Sequence, residues 1–115
     1  MSGSASFNPA AFVKLRELGG DEFARRMVEL FFQYVPEKLA EAKSAGQRGD
    51  LDAVHKASHP IKSSARQVGA SAVAELAARI EKLASENNGE AITLLGELES
   101  AYEQVSAQLR QQVQG

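Results

Sequence analysis

Glycine divides this chain into segments, and the segments between the glycines repeat their apolar residues at helical spacing. Phe23, Met27, Leu30, Phe31, Tyr34, Leu39 and Ala42 form one such series. Val73, Leu76, Ala77, Ile80 and Leu83 form another, and Ile92, Leu95, Leu98, Tyr102, Val105 and Leu109 a third. Nowhere do apolar and polar residues alternate as in a half-buried strand. The stops and starts agree with the periodicity. Asn8 is a natural N-cap, Pro9 sits at the first helical position, and Phe7 and Phe12 occupy the two positions of a hydrophobic staple. This first helix should close at Gly19-Gly20, with Asp21 capping a second that Pro36 bends without ending. Gly46 and Gly49 stop the second helix. Gly49 or Asp50 opens a third that runs to about Gln67 and closes at Gly69. The fourth breaks at Asn87-Asn88-Gly89, before a final helix. Short links between long amphipathic helices make antiparallel neighbours. The expected fold is all-α, an up-and-down antiparallel four-helix bundle with a short extra helix in front. Residues 1–6, rich in small side chains, are expected to form a flexible N-terminus, and residues 7–115 one helical domain.

Composition narrows the function classes. The chain has no cysteine, which removes thiol catalysis, cysteine-based zinc sites and disulfides, and fits a cytoplasmic setting. No apolar run approaches the ~20 residues that cross a bilayer. Thirteen basic and fifteen acidic residues give a net charge of −2, so no nucleic-acid partner is expected. The balance shifts along the chain. Residues 51–70 hold Lys56, Lys62 and Arg66 against Asp52 alone, together with both histidines, while residues 71–115 hold three basic and seven acidic groups. A short positive segment in a neutral-to-acidic protein favours a local acidic or phosphorylated partner.

That segment is the third helix. At about 100° per residue, Asp52, His55, Lys62, Ser63 and Arg66 fall within roughly 60° of His59, with Lys56 at the edge. Val54, Ala57, Ile61, Ala65 and Val68 fall on the opposite side, which must face the bundle. His59 is therefore expected in solvent, where a neutral imidazole is a nucleophile that a second protein can reach.

The string His59-Pro60-Ile61-Lys62-Ser63-Ser64-Ala65, followed by Gly69-Ala70, resembles the signature of histidine-containing phosphotransfer (HPt) domains. Leu18-Gly19-Gly20-Asp21 with Phe23, and Gly49-Asp50 after a long helix, also look like that family. The resemblance runs from about Phe7 to about Leu83. It implies that His59 accepts a phosphoryl group and that Lys62 is the cation beside it. Glu81, twenty-two residues on, stands where such domains often carry a glutamate or glutamine aimed at the acceptor ring. Antiparallel third and fourth helices would put it at the level of His59, accepting from Nδ1–H. His55, Lys56, Ser63 and Arg66 would meet the partner. Ser63 departs from the glycine usual after the lysine, and Pro60 removes a helical hydrogen bond directly after the acceptor.

The resemblance further implies a carrier rather than an enzyme. The chain would take a phosphoryl group from a receiver aspartate or a histidine kinase and pass it to a receiver aspartate of a response regulator or hybrid histidine kinase. It would act as a monomer and hold no cofactor, because the receiver supplies the Mg²⁺. No phosphate-binding glycine loop for ATP is present. An HPt-like bundle that docks on receivers without being phosphorylated is the alternative. A metal site at His55 and His59, four residues apart, lacks a third ligand and faces adjacent cations. A dimerising kinase helix pair normally has an acidic residue where Pro60 stands.

Overall fold

Helix formation begins where the capping chemistry predicts. The Asn8 side chain accepts from the Ala10 N–H at 3.0 Å, and Phe7 and Phe12 meet edge to face with ring centroids 6.5 Å apart. The computed structural model describes residues 7–114, so the expected flexible stretch 1–6 lies outside the described residues. From here the chain forms α1 (Pro9–Gln47), α2 (Leu51–Val68), α3 (Ser71–Ser85), the single turn α4 (Glu90–Thr93) and α5 (Leu95–Gln114). No strand occurs among the described residues, and none of the helices is long and apolar enough to cross a membrane.

One boundary agrees with the sequence reading and one differs. The first and second expected helices are the two arms of α1 and meet at a kink at Gly20, whose φ of 86° and ψ of −178° belong to a region that glycine alone occupies readily. Asp21 is not a separate cap, and its carboxylate pairs with Arg16 Nε at 3.1 Å. The expected last helix is divided, because Leu94 interrupts it between α4 and α5. Asp50 does cap α2, accepting from the Ala53 N–H at 3.1 Å. Pro36 lies inside α1, and Gly20 is the one residue of that helix with non-helical torsions.

The core is built from one stripe per helix. In α1 the buried residues are Phe12 and Leu15 of the front arm and, beyond Gly20, Ala24, Val28, Phe31, Val35, Leu39, Ala42 and Ala45. They face Val54, Ala57, Ile61, Ala65 and Val68 of α2, the set expected from the wheel, with Val73, Ala77 and Ile80 of α3 and Leu98, Val105 and Leu109 of α5 completing the core. Many of these side chains are small, so neighbouring helices can approach closely. The α1 stripe corrects the sequence reading. Phe23, Leu30 and Tyr34 stay about two-fifths exposed. Alpha-helical geometry puts two adjacent apolar stripes on this helix, and the slimmer one, centred on alanine and valine, is the one that α2 covers. Helix α5 is fastened to α1 by Lys43 and Glu99 at 3.1 Å, by the Tyr102 ring 5.5 Å from that of Phe31, and by Arg110 over the Phe32 ring.

Gly69 makes the turn that brings α2 and α3 side by side. It adopts φ 79°, ψ 21°, and the Ala70 N–H closes the cap on the Ala65 carbonyl at 2.8 Å. The Gly69 carbonyl accepts from the Asn8 N–H at 2.7 Å, which straps the start of α1 across the turn. A Cβ at Gly69 would collide with the Asn8 carbonyl oxygen. Left-handed backbone alone costs an ordinary residue about 1–2 kcal/mol. Gly69→Ala should therefore lower stability by at least ~2 kcal/mol once the collision is added. Gly89→Ala, where a Cβ meets nothing, should stay within about 0.5 kcal/mol of wild type in urea denaturation.

Candidate functional site

The polar face of α2 is organised by a carboxylate that arrives from α3. His59 lies ten residues before Gly69 and Glu81 eleven after Ala70, so the antiparallel pair sets them at one level. His59 Nδ1 is 2.6 Å from Glu81 Oε2. A carboxylate only accepts, so the ring donates from Nδ1–H and leaves the lone pair on Nε2. Nε2 has no protein partner among the described residues, and the His59 side chain is 60 % exposed. The other carboxylate oxygen, Oε1, accepts from Lys62 Nζ, also on α2. Glu81 does not pair with Arg79 or Lys82, its neighbours on α3.

The surroundings of Glu81 decide its protonation. Burial pushes the carboxyl upward, but hydrogen bonds from Lys62 and His59, together with their charges, outweigh it and hold the pKa below its ordinary 4.5. The carboxylate is therefore ionised throughout the neutral range.

The structure brings together four of the residues singled out from sequence, His59, Lys62 and Glu81 in direct contact and His55 beside them. His55, one turn before His59, turns its Nε2 to 3.8 Å from Glu81 Oε2. Lys56 stands apart at the edge, paired with Asp52 at 3.0 Å. Arg66 is exposed and makes no side-chain bond among the described residues. Ser63 lines a groove of about 580 Å³ between α1 and α2, whose wall includes His59 and Pro60. The far wall is Met27, Leu30 and Tyr34, members of the apolar series read along this helix. Their signal in the sequence was the excess of apolar residues on α1, more than a single buried stripe requires. Among the described residues, no group of three or more His, Cys, Asp or Glu side chains is disposed to hold a metal ion.

Comparison with known proteins agrees with this arrangement. The Hpt domain family matches residues 26–112, which include both α2 and Glu81. The chain belongs to the Hpt domain family. Its fold is similar to that of the crystal structure of histidine-containing phosphotransfer protein B (HptB) from Pseudomonas aeruginosa PAO1. The TM-score is 0.86 with 23 % identity over 97 % of each chain. A comparison with curated proteins finds no match.

The low pKa of Glu81 has a consequence for stability. A carboxyl whose pKa is lower folded than unfolded stabilises the fold above the unfolded value, and that contribution is lost as pH falls through the folded one. Glu81→Gln should thus be less stable than wild type at pH 7. The difference should shrink as pH drops from 4.5 through the lower folded value. Paired urea titrations at pH 7 and pH 3 measure it.

Proposed function

We propose that this protein is a phosphoryl carrier in a multistep two-component relay, with His59 as the acceptor. The observation that carries the reading is the His59–Glu81 bond, which commits the Nδ1 proton inward and turns a lone pair on Nε2 to solvent. In the transfer, Nε2 attacks the phosphorus of a receiver aspartyl phosphate. The N–P bond forms as the P–O bond to the aspartate breaks, and the aspartate leaves as a carboxylate. No proton has to leave Nε2, because the attacking electron pair is already free. The ring gains positive character, and Glu81 balances it through the Nδ1–H bond. Return of the group to another receiver reverses these steps.

Lys62 contributes from the side. Its ammonium is held by Glu81 and only 19 % exposed, so it stands ready to turn to phosphoryl oxygens as they arrive. Ser63, in the groove beside the ring, offers a hydroxyl to the same oxygens. The Mg²⁺ and the acidic pocket belong to the receiver, and the chain itself holds no cofactor and turns over no ATP. The apolar wall of exposed Leu30 and Tyr34 with half-buried Met27 gives the receiver a surface to pack against next to the reacting atom. With this role the protein acts as a cytoplasmic monomer that docks on one receiver at a time.

Phosphorylation by a panel of phosphorylated receivers, read as acid-labile label, tests the reading. His59→Gln should abolish the label and His55→Gln should retain most of it. Stable binding of receivers with no label on the wild type would instead establish a docking bundle.

The charges of the acceptor face lead to a second expectation. Lys56 is neutralised by Asp52 and Lys62 by Glu81, which leaves Arg66 as the exposed cation of this face without a bonded partner among the described residues. Exposed charges act mainly on association rate, and the Debye length is about 10 Å at 0.1 M salt. Transfer at subsaturating receiver should slow as salt rises, and Arg66→Ala should flatten that slope. Stopped-flow or rapid-quench rates report it over a salt series in which the Debye length falls from about 14 Å to about 4 Å, roughly 0.05 to 0.5 M.

A further inference from the structure

Glu81 has two histidine neighbours, and the acceptor mechanism uses only one of them. The separation of 3.8 Å between His55 Nε2 and Glu81 Oε2 is too long for a hydrogen bond but within ion-pair range. A neutral His55 therefore contributes little to the site, whereas a protonated one competes for the oxygen that orients His59. We infer that His55 is a positioning residue that makes phosphorylation of His59 sensitive to pH by drawing Glu81 away from the acceptor when it is charged. The inference rests on the reading of His59 as phosphoacceptor.

The surroundings of His55 favour this role over others. Its side chain is 38 % exposed, so protons reach it freely, while the Glu81 side chain is only 14 % exposed and feels nearby charge strongly. On α2, Asp52 lies one turn before His55 and is engaged by Lys56, and His59 lies one turn after it. On α3, Glu81 is the charged group that faces it, and the cleft beyond is lined by Ala84, Ser85 and Asn87. No other acid of α1, α3 or α4 pairs with it among the described residues. Histidine is the side-chain type that gains and loses a proton most readily near neutrality, and charge is what lets it compete for Oε2. His59 Nδ1 and His55 Nε2 approach the same oxygen, at 2.6 Å and 3.8 Å, so charge on His55 acts on the bond that orients the acceptor ring. The Lys62 bond to Oε1 keeps the carboxylate in place while Oε2 is contested.

The test compares the wild type, His55→Gln and His55→Arg with phosphoramidate as a small phosphoryl donor, so that no partner surface is involved. Label at His59 is followed by mass spectrometry at pH 6 and pH 8. The ratio of the His55→Gln rate to the wild-type rate should be at least threefold higher at pH 6 than at pH 8. His55→Arg, charged at both values, should carry the low-pH slowing of the wild type up to pH 8. A ratio that is the same at both pH values, or a His55→Arg rate equal to wild type at pH 8, overturns the role of His55 and leaves His59 as acceptor. Absence of label at His59 in all three proteins overturns the acceptor reading and the positioning role with it.

Discussion

A single carboxylate holds the reactive face of this bundle together. Glu81 reaches from α3 to α2 and binds His59 through one oxygen and Lys62 through the other. Without it, a histidine that is 60 % exposed would be free to choose its tautomer and its rotamer. Enclosing the carboxylate strengthens each of these contacts, since charge is screened less where water is scarce. The ionised state of Glu81 is in turn maintained by the donors it binds, whose combined pull exceeds the cost of its burial. The site is therefore a mutual arrangement in which imidazole, ammonium and carboxylate each set the state of the others.

That arrangement depends on a turn at the far end of α2. Gly69 takes the left-handed backbone, closes the helix and starts α3 back along it. Any change in the length of this link would rotate Glu81 off the level of His59, because each helical residue adds ~1.5 Å and about 100°. The strap from the Asn8 N–H to the Gly69 carbonyl fixes the turn from outside, and the space it occupies leaves no room for a Cβ. The front arm of α1, set off by Gly20, thus supports the α2–α3 geometry although it is distant in sequence from the site.

The other wall of the site comes from a surplus of apolar residues. Helix α1 carries more of them than its contact with α2 can cover, and the bulkier set remains at the surface. Met27, Leu30 and Tyr34 then border the groove that holds His59, Pro60 and Ser63. Helical periodicity identifies both sets as apolar but does not say which one faces inward. The inward stripe holds Ala24, Val28, Phe31, Val35, Leu39 and Ala42, while Leu30 and Tyr34 on the neighbouring stripe stay about two-fifths exposed.

The sequence by itself determined the helical class, the capping residues Asn8 and Asp50, the breaks at Gly20 and Gly69, and the polar face of α2. Each depends on interactions within a few residues of chain, and these are written in local spacing and in the backbone preferences of particular side chains. The signature around His59 singled that residue out, and the count of residues on either side of Gly69-Ala70 put Glu81 at its level. Tertiary structure alone decided that Lys62 is bound by Glu81 rather than free in solvent, and that His55 turns toward the same carboxylate. It also decided which stripe of α1 is buried and that α4 separates from α5. These outcomes depend on distances of a few ångströms between elements far apart in sequence. A helical wheel gives the direction in which a side chain leaves its helix, and only the packing of a second helix against it gives what that side chain meets.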